Sequence, residues 1–247
     1  MNSTLPLALT FLTKLPWPWR GPADEAALAR SMFWFPWVGA ILGLIFWGAW
    51  AGLHRALPGP AAAAVLLTLT VWITGGLHLD GLADTVDGLG GGRTPAEALA
   101  IMKDSRVGAF GVISLILGLV LKFSLFLSLA TQASETRALL LFPIVSRWSM
   151  VLLAYLSPYA RAEGGLGQAM TLGVSPRVLL GAGLSAGVLS LLILGAPGLV
   201  LFIAAGALVW LGSLYFQRRL GGITGDILGA ANEVVEVLVL AGALMLR

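Results

Sequence analysis

Long apolar runs separated by short polar breaks set the pattern of this chain. They cover approximately residues 32–53, 60–79, 107–130, 138–160, 178–196, 198–217 and 228–246. A membrane-spanning helix needs about 20 apolar residues. The pattern therefore predicts an all-α polytopic membrane protein, a single bundle of about seven transmembrane helices. The fifth and sixth runs meet at Ala196-Pro197-Gly198, a predicted tight hairpin. No internal repeat or low-complexity linker interrupts the series, so residues 1–247 are expected to form one domain, with 1–31 as an interfacial N-terminal segment.

Composition sharpens this picture. Hydrophobic residues make up 58% of the chain and charged residues 11%, and the mean hydropathy is +0.92, far from the quarter of charged residues typical of soluble domains. The absence of cysteine removes disulfides, thiolate metal sites and cysteine nucleophiles. A net charge of +3 arises mostly from loop Arg and Lys beside a bilayer, and points to topology and anionic lipid, not to nucleic acid. Trp34, Trp37, Trp47 and Trp50 fall toward the ends of the first run, as interfacial belts would, and Trp17 and Trp19 suggest a surface location for the N-terminal segment. No cleavable signal peptide is expected, because the first apolar stretch is short and Lys14 follows it. With the N-terminus inside, the cytoplasmic face collects Lys14, Arg20, Arg30, Arg93, Lys103, Arg106, Arg161, Arg177, Arg218 and Arg219, against Arg55, Arg137 and Arg247 opposite. The positive-inside rule thus predicts a multi-pass membrane protein with its N-terminus in the cytoplasm, its C-terminus outside and a cytoplasmic-side active site. It also places the segments 80–106 and 218–236 on the same side.

The acidic residues concentrate in those two segments. The first, GGLHLDGLADTVDGLGGGR from Gly75 to Arg93, carries Asp80, Asp84 and Asp87. The spacing i, i+4, i+7 puts all three on one helical face, where they repel one another unless a cation sits among them. Gly91, Gly92 and Arg93, then Lys103, Asp104 and Arg106, follow in the same Asp/Gly-rich active-site loop, 80–106. Glycine N–H groups and basic side chains bind phosphate, so metal-holding carboxylates stand beside phosphate donors. The pairing predicts Mg²⁺-dependent chemistry on a diphosphate. A single such Asp is more often a helix cap than a ligand; three at helical spacing favour a site.

The second segment, GGITGDILGAANEVVE from Gly221 to Glu236, opens the last apolar run and carries Asp226, Asn232, Glu233 and Glu236. A bare carboxylate inside a span costs roughly 2.5–3.5 kcal/mol on insertion scales, so the glutamates need partners. Lys122 and Arg147, also stranded in apolar runs, are the candidates. Interhelical salt bridges that only hold the bundle together are the plainer alternative for Glu236, and a cap for the last helix is the plainer alternative for Thr224 to Asp226. His78 adjoins the first cluster, where it would serve the site or sit satisfied at the interface; His54 reads as interfacial.

These segments, with IMKDSRVGAFG from Ile101 to Gly111, resemble the signature segments of the cobalamin synthase family, the adenosylcobinamide-GDP ribazoletransferases. The likeness extends to Phe11-Leu-Thr-Lys-Leu-Pro16, Arg147-Trp148, Pro158-Tyr-Ala-Arg161 and Gly165-Leu-Gly167, and so covers nearly the whole chain in order. Arg161-Ala-Glu-Gly164 departs from the pattern where a proline is expected after the arginine. The resemblance implies an Mg²⁺-dependent enzyme of the inner membrane whose substrates are adenosylcobinamide-GDP and α-ribazole, or its 5′-phosphate. Other cobalamin-assembly enzymes are possible partners. The ribose 3′-hydroxyl would attack the phosphorus attached to the cobinamide aminopropanol, and GMP would leave. Asp80, Asp84 and Asp87 are then the expected metal ligands, one of them doubling as general base. Gly91, Gly92, Arg93, Lys103 and Arg106 would hold the diphosphate, with Asp104 ordering the basic pair or joining the metal shell, and Asp226 and Glu233 would complete the site on a second metal or on the nucleoside. Two other readings are weaker. A CDP-alcohol phosphotransferase needs an Ala-Arg pair after the first Asp-Gly, and Leu82-Ala83-Asp84 follows here. An ion-coupled transporter needs carboxylates near the bilayer midplane and usually a repeat.

Overall fold

The computed structural model describes residues 4–17, 24–129, 136–164 and 166–246, with the backbone alone for Leu166. Trp19, Arg20, Gly165 and Arg247, used above, lie outside the described residues. The helices in order are α1 Leu5–Leu12, α2 Glu25–Ser31, α3 Phe35–Ala56, α4 Gly59–Thr74, α5 Leu77–Gly91, α6 Pro95–Ile101, α7 Ala109–Leu129, α8 Ala138–Leu156, α9 Leu166–Gly173, α10 Pro176–Leu194, α11 Ala196–Leu220 and α12 Gly225–Met245. A 3-10 turn, Met32–Trp34, joins α2 to α3.

Among the described residues six helical stretches are long and apolar enough to cross a membrane: Glu25–Ala56, α7, α8, α10, α11 and α12. The α4–α5 pair makes a seventh if it counts as one span. The chain is a multi-pass membrane protein. One predicted run is not a straight helix, however. The run 60–79 stops at Thr74, and α5 departs from α4 at 88°. Gly75 and Gly76 take φ of +65° and +71°, a left-handed pair in which glycine alone avoids a Cβ clash, and their N–H groups turn back onto the carbonyls of Trp72 and Val71.

Helix α8 lies at the centre. Gly39 and Gly43 of α3 pack on the α8 backbone at Pro143 and Leu140, leaving no room for a Cβ at either position. Small residues that let two backbones approach closely are how helices associate where lipid removes the hydrophobic driving force. The outer helices show the opposite character: Ile116 and Leu117 of α7, Leu184 and Leu192 of α10 and Ile203 of α11 are more than half exposed, as lipid-facing side chains are. Trp37 and Trp47 are exposed too, whereas Trp50 is buried and stacks on His54, so it belongs to the core and not to a belt. The hairpin between α10 and α11 turns at Gly195, with Gly198 pressed on Ser190.

Candidate functional site

The segment expected as a loop, 80–106, is mostly helical: α5 runs to Gly91 and α6 follows after a capping box between Thr94 and Glu97. The glycines explain the packing. Gly88, Gly91 and Gly92 present a flat face to Met102, Ile101 and Ala98, and a side chain there would displace α6. Their N–H groups are not offered to an oxyanion. Gly92 N–H donates to Gly88 O, and Gly91 is the last residue of α5. The carbonyls of Gly92 and Arg93 instead accept from the Arg219 guanidinium, at 2.6 and 3.2 Å. This contact joins the end of α11 to the end of α5.

The two acidic segments meet, as the charge distribution predicted. Helix α12 crosses α5 at Gly81 and Gly229; a Cβ on Gly81 would fall 2.7 Å from the carbonyl oxygen of Asp226, and one on Gly229 would touch the His78 backbone. The three aspartates of α5 are not equivalent. Asp80 is exposed and Asp84 half-buried, and neither carboxylate has a hydrogen-bond or ion-pair partner among the described residues. Asp87 is buried, and its two oxygens accept the N–H groups of Gly108 (2.7 Å) and Gly111 (2.8 Å). It caps α7, the role that an acidic residue at a helix N-terminus commonly takes. The expected triad is therefore a free pair and a cap, because the face turns inward by the third turn of α5.

Asp226 stands opposite. Its carboxylate accepts from the Arg161 guanidinium at 2.7 Å and from the Thr224 hydroxyl at 3.1 Å. Thr224 also caps α12. Arg161 is delivered by a two-residue bridge: Ile223 N–H donates to Pro158 O and Ala160 N–H to Ile223 O, each at 2.9 Å. Asp80, Asp226 and Asp87 all act on Asp84 as like charges, with Arg161 as the opposing one.

The basic residues divide. Arg106 holds Asp104 through Nε and Nη2, at 3.0 to 3.1 and 2.6 Å, and its own N–H adds a bond at 3.0 Å. These bonds pull the Asp104 carboxyl down to about 2. Lys103 pairs with Glu163, both well exposed, and the lysine holds the glutamate below the usual carboxylate range. The Arg93 guanidinium is exposed and unpaired among the described residues.

The remaining acidic residues are spent elsewhere. Lys122 donates to Glu233 at 2.6 Å and to Glu236 at 2.5 Å, Arg147 pairs with Glu236, and Asn232 Nδ2 donates to Glu236 at 3.1 Å. All five side chains are buried. Glu233 therefore does not join Asp226; seven residues further along α12, about 10 Å, it meets the α7 lysine inside the bundle. His78 is buried with Nε2 unpartnered, two residues before Asp80 on α5, a spacing that does not put two side chains on one helical face. Two unpaired charges of each sign would be costly at this depth, and the balanced quartet removes that cost.

Among the described residues no three His, Cys, Asp or Glu converge to enclose a metal ion. Two unpartnered carboxylates one helical turn apart do suit Mg²⁺, which keeps several waters and binds through one or two carboxylates plus substrate phosphates. Sequence reasoning passed over Lys14, Arg161, Glu163 and Arg219 as site residues. Lys14 and Arg161 did stand in the motif segments; Glu163 and Arg219 carried no local signal.

Comparisons with known proteins give the family. A family model described as cobalamin-5-phosphate synthase matches residues 4–244. Relatives named adenosylcobinamide-GDP ribazoletransferase occur in Desulfitobacterium hafniense, 42% identical over 96% of this chain and 94% of the relative, and in Syntrophobacter fumaroxidans, 44% identical over 96% of each. A third, in Ectopseudomonas mendocina, is 45% identical over 93% of each. No solved structure matches significantly. Matched across almost its entire length, with both acidic segments folded against each other, this chain belongs to the cobalamin-5-phosphate synthase family.

Proposed function

We propose that this protein transfers the adenosylcobinamide phosphate of adenosylcobinamide-GDP to α-ribazole or its 5′-phosphate, completing the nucleotide loop of cobalamin. The relatives' name supports the reaction, and one observation carries the site: Asp80 and Asp84 stand unpartnered against Asp226 and Arg161, with Arg93, Lys103 and Arg106 on the adjoining segment. The ribose hydroxyl of the acceptor attacks the cobinamide-bearing phosphorus, the bond to GMP breaks, and Asp80 or Asp84 takes the hydroxyl proton. Mg²⁺ held by Asp80 and Asp84 would neutralise charge on the diphosphate. Arg93, and Lys103 and Arg106 once released from Glu163 and Asp104, bind the phosphates of the donor. The excess of Lys and Arg at this end of the bundle supports a cytoplasmic site, and the family resemblance supports residence in the inner membrane.

The purified protein in lipid nanodiscs, given adenosylcobinamide-GDP, α-ribazole and Mg²⁺, should release GMP and form cobalamin. EDTA and Asp84→Asn should each stop it. A folded wild-type protein that releases no GMP would overturn the reading.

A further inference from the structure

Between α1, the α4–α5 bend and α7 lies a cavity of about 490 Å³, a volume suited to a small organic ligand. Leu79, Leu115 and Leu119 give it apolar surface, while Lys14 and Asp80 bring opposite charges to its walls. These two charges do not pair with each other, and neither side chain has a partner among the described residues. Lys14 is nevertheless held in place. Its backbone N–H donates to Ile73 O at 2.6 Å, and its aliphatic stem lies on Gly75, where any Cβ would collide with it. The stem is anchored at the bend and the ammonium is left over.

We infer that this cavity receives the acceptor nucleoside and that Lys14 binds its 5′-phosphate, so that the segment Phe11 to Lys14 sets the preference for the phosphate monoester over the free nucleoside. The inference rests on the ribazole-transfer reading. A phosphate monoester carries a charge near −2 at neutral pH, and a lysine ammonium is a common point-charge partner for it. The apolar wall suits a flat aromatic base. Asp80, on the same cavity, is placed to meet the sugar hydroxyls. Arg93, Lys103 and Arg106 do not line the cavity, and Lys14 is the one cation among its described lining residues. The two phosphate-bearing substrates thus have separate basic groups.

The test compares kcat/KM for α-ribazole 5′-phosphate and for α-ribazole, in phosphatidylcholine nanodiscs, across wild type, Lys14→Gln and Lys14→Arg. The ratio of the two values should fall on the order of tenfold to a hundredfold in Lys14→Gln, the range of one charge-assisted hydrogen bond, and largely persist in Lys14→Arg. An unchanged ratio in Lys14→Gln, with wild type active, overturns the inference. If Lys14 instead holds a lipid phosphate, Lys14→Gln depresses both acceptors equally and exchange into phosphatidylglycerol shifts both, which also overturns it. Wild type that uses neither acceptor overturns the transfer reading itself. Should Lys14→Gln not fold, Thr10→Glu puts a carboxylate on the same cavity, and the same fall in the ratio is expected.

Discussion

The backbone of Asp226 occupies the space that a side chain at Gly81 would need: a Cβ there would lie 2.7 Å from the Asp226 carbonyl oxygen. This contact, with Gly229 against His78, is what brings the carboxylates of α5 to the side of Asp226 and Arg161. Gly81→Ala should push α5 from α12, lower stability by about 1–3 kcal/mol as overpacking does, and reduce GMP release more than the loss of folded protein explains. Thermal unfolding and turnover measured on one nanodisc preparation check it. Wild-type turnover in the variant would show that the close crossing does not position the site.

Asp84 and Asp87, one turn apart, should respond oppositely to the same chemical change. Asp84→Asn removes a carboxylate that no protein group satisfies, so turnover should vanish while the unfolding temperature holds or rises. Asp87→Asn weakens two bonds that cap α7 and should cost about 1–2 kcal/mol of stability, with activity falling in proportion to folded protein. Equal loss of turnover at unchanged stability in both would restore Asp87 to the reacting group.

The buried quartet of Lys122, Arg147, Glu233 and Glu236 should be structural. Lys122→Ala strands a carboxylate in the bundle and should destabilise by about 3–5 kcal/mol. The pair Lys122→Met with Glu233→Gln should recover much of that loss, because it removes one charge of each sign. A double variant no more stable than Lys122→Ala would refute the charge-balance account.

Lys103 and Glu163 make an exposed pair, which in the proposed site competes with substrate. Glu163→Gln frees the ammonium and should lower KM for adenosylcobinamide-GDP; Lys103→Ala should raise it about tenfold, with kcat less affected. Both effects should shrink with added salt. Indifference of KM to both changes would remove Lys103 from the diphosphate site.

Membrane character, the all-helical multi-pass fold, the placement of two acidic segments on one side of the bundle and the family likeness were all legible in the sequence alone. Hydropathy and charge sign are local properties that bilayer thickness and topology read directly. Even the partners of Glu236 were visible, because Lys122 and Arg147 had no other reason to lie inside apolar runs. Tertiary structure alone decided which carboxylates remain available. Spacing placed Asp80, Asp84 and Asp87 on one face of α5, but that face passes from solvent into the contact with α7, where Gly108 and Gly111 claim the third. Likewise Glu233 follows Asp226 on α12, yet depth in the bundle assigns it to Lys122. The right-angle turn at Gly75 and Gly76, the seating of Lys14 upon it and the delivery of Arg161 by the Pro158–Ile223 bridge depend on contacts between residues distant in the chain. No pattern along the chain encodes such contacts, because they arise only when helices of fixed length pack against one another.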